Sequence, residues 1–221
     1  MREYRTVWVL LALFVLFGAA VLAAVLWNNA RLPDGVGREL SAEERAEVIG
    51  RNSPMTEYVY LTPNAGFPRE QEIDTITIHH MAGDLTLEKL GHDFALIDRR
   101  ASSNYGVDRE GRVGLYVEEC NRAWTSSSPE NDGRAVTIEV ANDEEGGDWH
   151  VSDASYAALI DLCVDICRRN GIPRLNYTGD THGNLTTHDM FADTECPGPY
   201  LKSRLEEIAR TVNERLNTIE K

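Results

Sequence analysis

Two stretches of sequence decide the fold: residues 75–79 read TITIH, and residues 135–141 read AVTIEVA. Both alternate polar and apolar side chains with a period of two, which predicts β-strands with one face in a hydrophobic core. In the first stretch the isoleucines point to one face, and the threonines and His79 point to the other. The polar face of this strand ends in a histidine, where a sheet can present a functional site.

The second stretch carries one carboxylate, Glu139, on the same face as Thr137. A carboxylate is costly to bury without a partner, so two interpretations are open. In one, residues 135–141 form an edge strand whose polar face is solvated. In the other, Glu139 lies in a cleft where desolvation raises its pKa towards the range of a general base.

Outward from these strands, the pattern alternates between strands and helices. Apolar residues at helical spacing predict helices over residues 86–100, 153–170 and 203–219. Residues 104–117 predict two short strands around a turn. Strands mixed with helices in this order predict an α/β fold in which a sheet is covered by helices.

A third motif lies towards the carboxyl end, where residues 186–198 read TTHDMFADTECPG. Seven residues separate His188 from Cys196, and the Pro-Gly pair fixes a turn directly after Cys196. Imidazole nitrogen and thiolate sulfur are both good zinc ligands. With one distant histidine such as His79, this pair predicts a zinc site with three protein ligands and a fourth position open to water.

Taken together, five segments resemble a known family in the same order along the chain. They are residues 76–83 (ITIHHMAG), 102–113 (SSNYGVDREGRV), 121–128 (NRAWTSSS), 134–142 (RAVTIEVAN) and 185–201 (LTTHDMFADTECPGPYL). Over residues 74–201 the chain resembles the zinc N-acetylmuramoyl-L-alanine amidases, which include phage lysozyme-type amidases and peptidoglycan recognition proteins. The resemblance implies a central mixed β-sheet flanked by helices, a Zn²⁺ cofactor, and cleavage of the amide between N-acetylmuramic acid and L-alanine in peptidoglycan.

The resemblance also implies roles for individual residues. His79, His188 and Cys196 match the family's three zinc ligands, and Glu139 matches a carboxylate that is catalytic in some branches. Thr194 stands two residues before the last ligand, where some branches have lysine and the recognition proteins have threonine. The implied mechanism uses Glu139 as general base towards the attacking water, with the metal and the Thr194 hydroxyl stabilising the oxyanion.

The chain departs from the family at one position. Ser103 stands where some of these amidases place a catalytic tyrosine, which favours Glu139 as the base. Tyr105, two residues along, is expected to pack in its strand. Asn104 and Trp124 fall in matching segments and are predicted to bind substrate along the groove, although Trp124 fits a place in the core equally well.

Two other functions remain open at this stage. A protein of this family can sense muropeptides without cleaving them, but members that lost activity typically lack a zinc ligand, and this chain keeps all three. A metal-dependent amidase or peptidase that cleaves a different bond would use the same ligands. Analysis of the reaction products distinguishes these possibilities.

An apolar stretch precedes all of these motifs: residues 7–27 read VWVLLALFVLFGAAVLAAVLW without one charge. A helix of about 20 apolar residues spans a bilayer, so residues 1–27 are predicted to be a single-pass membrane anchor. A cleaved signal peptide is the alternative. The basic residues before the stretch favour a cytoplasmic amino terminus. We therefore expect a cell-membrane protein with its catalytic domain outside, or a secreted protein if the stretch is cleaved.

The rest of the chain is expected to divide at residue 73. Residues 28–72 form a linker and extension, and residues 73–221 form the zinc amidase domain. Within the extension, Ser41 and Glu44 have the spacing of a capping box, which predicts a short helix that Gly50 can stop.

Composition excludes one class of partner. The chain has a net charge of −14 and no evident basic patch, whereas nucleic-acid binding depends on Lys and Arg side chains that neutralise phosphates. Cys163 and Cys167 lie four residues apart on the apolar face of a predicted helix. They are expected to be buried thiols, because a disulfide within one regular helical turn has unfavourable geometry.

Overall fold

A computed structural model of the chain describes residues 13–19, 21 and 32–218. It divides into two compact units, Met1–Asp34 and Gly35–Lys221. In the first unit, residues 13–19 and 21 are helical, and their large apolar side chains are exposed. No helix among the described residues is long and apolar enough to span a bilayer. Most of the predicted anchor at residues 7–27, including both of its tryptophans, lies outside the described residues.

The second unit is built on a six-stranded mixed sheet, with a separate two-stranded ribbon. The strands are β1 (Thr56–Val59), β2 (Ala65–Gly66), β3 (Thr75–His80), β4 (Tyr105–Val107), β5 (Val113–Leu115), β6 (Arg122–Ala123), β7 (Ala135–Val140) and β8 (Leu185–Thr187). The main sheet has the order β1-β5-β4-β7-β3-β8, and β2 pairs with β6. Only the β4–β5 pair in the main sheet is antiparallel.

Six helices accompany the sheet. They are α1 (Ala42–Arg51), α2 (Leu87–Ala95), α3 (Pro129–Arg134), α4 (Asp153–Arg169), α5 (Gly198–Lys202) and α6 (Leu205–Asn217). Short 3-10 helices follow α2 at Ile97–Arg99 and β8 at His188–Met190. The predicted α/β class, with a central sheet flanked by helices, is confirmed.

The two strands that decide the fold lie at the centre of the sheet. β7 runs between β4 and β3, in parallel with both. The edge-strand interpretation of residues 135–141 is therefore wrong. All six residues of β3 are buried, so the expected half-buried strand is covered on both faces. On one face, Ile76, Ile78 and Ile138 join the main apolar core together with residues of α4 and α6.

The boundary expected at residue 73 differs from the structure. β1 pairs in parallel with β5, and Leu40, Val48 and Leu61 belong to the main core. The segment that precedes β3 therefore contributes a strand and a helix to the same compact unit. Its apolar residues are too irregularly spaced to give a periodic signal, because a four-residue strand and one helix face are interrupted by turns.

Helix ends are set by local capping. The Ser41–Glu44 capping box at the start of α1 is present, but the helix runs past Gly50 and ends at Arg51, with Asn52 as its cap. Thr86 caps α2, which ends at Ala95, five residues earlier than predicted. α4 has the predicted position. Cys163 and Cys167 are buried and free on its core side, as predicted.

Candidate metal centre

Three potential metal ligands meet at the carboxyl end of β3. His79 is the next-to-last residue of this strand. β8 pairs in parallel with β3 and delivers His188 to the same end of the sheet, immediately after its last residue. Cys196 follows in the next turn, and its Sγ lies 3.5 Å from His79 Nδ1. The ligand atoms of the three side chains all lie within 4.8 Å of one another.

This cluster fits a zinc ion. In a tetrahedral zinc site with bonds of about 2.0–2.3 Å, the ligand atoms stand roughly 3.3–3.8 Å apart. The distance of 3.5 Å between Cys196 Sγ and His79 Nδ1 lies in this range, and no separation in the cluster exceeds 4.8 Å. Nε2 of His79 and Nε2 of His188 are buried and have no hydrogen-bond partner within the described part of the chain. Buried polar atoms normally have partners, so these two nitrogens are polar groups that the described part of the chain leaves unsatisfied at the cluster.

The electrostatic environment suits a metal as well. Burial lowers the pKa of His79 well below its ordinary value, with smaller contributions from His188 and His80. Burial also lowers the pKa of His188, and Asp132 and Asp189 oppose this effect. Both shifts favour the neutral imidazole, which is the form that binds metals. Burial and the nearby Glu139 raise the pKa of the Cys196 thiol, so a bound cation is needed to stabilise the thiolate.

Glu139 lies directly beside His79 in the register of β3 and β7. Its Oε2 is fully buried and lacks a hydrogen-bond partner among residues 32–218. Burial raises the pKa of Glu139 to about 8, and the positive charge of Arg99 opposes the shift. An ordinary surface glutamate is fully ionised at neutral pH, whereas this one can take up and release a proton there.

A glycine on the neighbouring strand helps to explain this desolvation. Gly106 in β4 lies opposite Glu139. A Cβ added to Gly106 would stand 2.8 Å from Leu90 Cδ2 and 3.3 Å from Met81 Cε. Because Gly106 has no side chain, Leu90 of α2 and Met81 after β3 can pack over the sheet on the face that carries Glu139.

Thr194 lies in the turn that leads to Cys196. Its Oγ1 accepts a hydrogen bond of 3.3 Å from the Cys196 backbone N–H. The threonine is partly exposed, and its hydroxyl hydrogen is not committed to a partner among the described hydrogen bonds. Thr194 therefore has a hydroxyl group that is available to donate, two residues before Cys196 in the sequence.

A cavity of about 370 Å³ opens beside His188. Trp124 forms part of its wall, and its Nε1 is buried without a partner in the described residues. Two arginines, Arg100 and Arg122, also line this cavity. Sequence reasoning missed both arginines, because neither lies in a motif with its own chemical signature.

A second cavity, of about 300 Å³, is lined by hydroxyl and amide side chains, including those of Asn131 and Thr186, and by Phe191. Asn131 Nδ2 donates hydrogen bonds to Thr77 Oγ1 (3.0 Å) and Ser126 Oγ (3.1 Å). α3 contributes residues to both cavities. The sequence analysis did not predict this second cavity.

Asn104, which is predicted to bind substrate, lies inside the sheet. Asn104 is fully buried, its Nδ2 donates to the Val117 carbonyl (3.0 Å), and its Oδ1 accepts from the Thr137 backbone N–H (3.0 Å). Its side chain bridges backbone segments inside the sheet and does not reach a cavity. Ser103 is also buried, and Tyr105 packs in β4 as expected, with its hydroxyl donating to Glu119.

The remaining histidines lie outside the cluster. His80 points to the opposite face from His79, but its backbone N–H donates a 3.4 Å hydrogen bond to Cys196 Sγ. His150 pairs with Asp143, and the exposed His182 pairs with Asp180. His92 lies on α2. The metal-ligand prediction of His79, His188 and Cys196 therefore corresponds to one compact cluster in the structure.

Known structures share this architecture. The chain is similar to PlyL (16% identity over 75% of this chain and 91% of that chain, TM-score 0.52) and to a selenomethionine derivative of AmpD (19% identity, 69% and 93%, TM-score 0.51). It is also similar to a mutant endolysin from Bacillus subtilis (15% identity, 70% and 97%, TM-score 0.55). At these identities the similarity establishes the fold. No curated protein matches the chain.

The sequence profile of one family matches residues 69–199, and its description is N-acetylmuramoyl-L-alanine amidase. This span covers more than half of the 221 residues and includes every residue of the cluster, together with Glu139 and Thr194. The chain therefore belongs to the N-acetylmuramoyl-L-alanine amidase family.

Proposed function

We propose that the chain hydrolyses the amide bond between N-acetylmuramic acid and L-alanine in peptidoglycan, with zinc held by His79, His188 and Cys196. The observation that carries this proposal is the meeting of three metal-ligating groups beside the buried carboxylate of Glu139. Two imidazoles and one thiolate form a zinc ligand set that leaves a fourth position for catalysis. The description of the matched family names the same reaction.

Zinc bound to these residues supplies Lewis-acid activation of water and of the amide carbonyl. Glu139 accepts a proton from the attacking water and later returns it to the leaving nitrogen of L-alanine. Its raised pKa of about 8 in the metal-free protein suits both steps, because the carboxyl group is neither permanently ionised nor permanently protonated near neutral pH. A cation beside it favours the ionised form that starts the reaction.

Thr194 and the cavity beside His188 position the substrate in this proposal. The Thr194 hydroxyl donates to the carbonyl oxygen as negative charge develops on it. Arg100, Arg122 and Trp124 line the cavity, and their guanidinium and indole groups suit a stem peptide that carries carboxylates and apolar side chains. The chain as a whole carries a net charge of −14. The arginines therefore attract an anionic ligand only at the cavity itself.

The test is mass spectrometry of the products after the full chain, purified in detergent, meets peptidoglycan fragments with and without a zinc chelator. The proposal predicts free stem peptides that begin with L-alanine, and it predicts that these products disappear on chelation and return when zinc is added back. The same assay is applied to Glu139→Gln, which lacks the proposed base. Glu144→Gln, in an exposed loop, is its matched control.

Other product patterns would contradict the proposal in different ways. Cleavage at another bond would keep the metal centre and overturn the substrate. Intact fragments with zinc bound would indicate a protein that senses muropeptides without cleaving them. Stem peptides that persist in excess chelator would overturn the metal dependence.

We further propose that residues 1–27 anchor the chain in the cell membrane and leave the amidase unit outside, where peptidoglycan lies. Support comes from the uncharged stretch at residues 7–27 and from the exposed apolar side chains of the helical residues 13–19 and 21. Exposed apolar surface of this kind is unfavourable in water and favourable in lipid.

A cysteine labelling experiment tests this topology. Cys120 is free and exposed, whereas the other three thiols are buried. A thiol reagent that cannot cross membranes is expected to label the chain in intact cells, and Cys120→Ser is expected to remove the label. Labelling only after cell lysis would place the amidase unit inside, and release of the chain by alkaline washing of membranes would contradict the anchor.

A further inference from the structure

The loop between β7 and α4 contains a tryptophan in an unfavourable backbone conformation. Trp149 has a φ of +53°, in the left-handed region that bulky residues rarely adopt. Two hydrogen bonds hold this conformation: the Trp149 N–H donates to the Gly146 carbonyl (2.9 Å), and the Trp149 carbonyl accepts from Asn142 Nδ2 (2.7 Å). Such conformations persist where the surrounding structure fixes them, and they cluster at functional sites.

The loop is fixed at both ends. Asn142 exchanges two hydrogen bonds with Gly83, one through its backbone N–H (3.0 Å) and one through its side-chain Oδ1 (3.3 Å). On the other side, the Tyr200 N–H donates to the Asp148 carbonyl (3.0 Å). The loop thereby connects the segment that follows β3 with α5, which begins directly after the Cys196-Pro197 turn.

The indole ring of Trp149 closes the space between these segments. It meets the His80 imidazole edge to face, with ring centroids 5.1 Å apart and planes at 90°. Gly198 packs against both side chains. A Cβ on Gly198 would stand 2.9 Å from Trp149 Cβ and 3.2 Å from His80 Nδ1. The three residues come from three different segments and are in contact without intervening space.

Two of these residues act directly on the position of Cys196. The His80 backbone N–H donates to Cys196 Sγ (3.4 Å). Gly198 lies two residues beyond Cys196 and closes its turn by donating from its N–H to the Glu195 carbonyl (2.8 Å). A displacement of His80 or of Gly198 therefore moves either the hydrogen-bond donor to the sulfur or the turn that carries it.

We propose that Trp149 is a positioning residue that holds His80 and the Cys196 turn so that the cysteine sulfur is pre-oriented as a metal ligand. The inference rests on the metal-binding part of the proposed function and is independent of the bond that is cleaved. Residues that orient metal ligands from outside typically change metal affinity or activity by 10- to 100-fold when they are replaced.

Trp149→Asn in the full chain tests this inference, because asparagine tolerates the left-handed backbone and replaces the indole ring with a short amide side chain. The cobalt-loaded protein gives two readouts: the sulfur-to-cobalt charge-transfer absorption, and the rate of metal loss to excess chelator. We expect the absorption to shift and metal loss to accelerate by about 10-fold or more. Tyr177→Ala, which truncates a partly buried aromatic residue at a separate cavity, is expected to match the wild type.

Trp149→Phe, a smaller change, is expected to accelerate metal loss by a smaller factor, and it decides the question if Trp149→Asn does not fold. Absorption and metal loss like those of the wild type in the folded tryptophan variants would overturn the inference and leave the amidase proposal intact. A wild-type chain without any sulfur-to-cobalt absorption would overturn the cysteine ligand and this inference together. Normal cobalt properties without cleavage of peptidoglycan would contradict only the proposed reaction.

Discussion

The two faces of the β3–β7 pair differ in a way that separates stability from function. One face carries Ile76, Ile78 and Ile138, which are fully buried in the main core. The opposite face of the same strands carries His79 and Glu139, whose buried Nε2 and Oε2 have no partner in the described residues. Because side chains alternate along a strand, neighbouring residues of one strand belong to these two different environments.

The two faces contribute differently to the stability of this domain. Burial of apolar side chains stabilises the fold, whereas a buried polar atom without a partner destabilises it. The core face therefore stabilises the fold, and the polar face destabilises it because the His79 imidazole and the Glu139 carboxylate are desolvated there. Substitutions on the two faces are expected to have opposite effects on stability and activity.

The largest effect is expected at Glu139. Glu139→Gln preserves shape but removes the proton acceptor, so turnover of peptidoglycan fragments should fall about 10²- to 10⁴-fold, while bound zinc stays at the wild-type level. Steady-state rates and metal analysis on the same preparation check both points. Turnover within a few-fold of the wild type would show that another group is the base.

The adjacent residue on the core face should behave in the opposite way. Ile138→Ala removes buried methyl groups and is expected to lower the free energy of unfolding by about 2–5 kcal/mol, and Ile138→Val by about 0.5–1.5 kcal/mol. Chemical denaturation measures these changes. Turnover per folded molecule should remain near that of the wild type, and a loss of zinc from the folded variant would contradict the separation of the two faces.

A third prediction concerns two residues that were both expected to bind substrate. Asn104→Ala leaves the Val117 carbonyl and the Thr137 N–H without partners and should cost about 1–3 kcal/mol of stability, with KM unchanged. Trp124→Ala, on the cavity wall, should raise KM with a smaller effect on stability. Kinetics and denaturation of both variants check this contrast. A raised KM for folded Asn104→Ala would support the predicted role of Asn104 in substrate binding.

A further effect is expected in the pH dependence of stability of the zinc-free protein. The pKa of Glu139 rises from its ordinary value of 4.5 to about 8 on folding, so the folded state holds the proton more tightly than the unfolded state does. Stability should therefore fall as the pH rises from about 4.5 to 8. Although Oε2 is buried, Glu139 as a whole is partly exposed, so we expect a loss of about 1–3 kcal/mol. Denaturation at several pH values should show this loss in the wild type and its absence in Glu139→Gln.

The sequence predicted the parts of the site that depend on local patterns. The alternation in residues 75–79 placed His79 on the polar face, and the His188–Cys196 motif defined the other two metal-ligating groups. The resemblance to a known family joined these separate segments into one cluster. The fold class could be predicted for the same reason, because the central strands and long helices have strong periodicity.

What could not be predicted depends on contacts between distant segments. β1 joins the sheet through pairing with β5, and no pattern within its four residues indicates this partner. Asn104 is predicted to be a groove residue, yet its amide is hydrogen-bonded to the backbone of Val117, beyond β5, and of Thr137 in β7. Arg100, Arg122 and Trp149 gain their positions from the tertiary fold, and single arginines and tryptophans have no spacing that marks them.

The zinc content of the full chain and of two variants tests the assignment of the polar face most directly. We expect about one zinc per molecule in the wild type and in Glu139→Gln, and a loss of zinc in folded Cys196→Ala, because three protein ligands are needed to hold the ion. Cleavage should be present only in the wild type. Full zinc content in folded Cys196→Ala, or undiminished cleavage by a zinc-free wild type, would contradict the assignment of this face as a zinc-dependent catalytic centre.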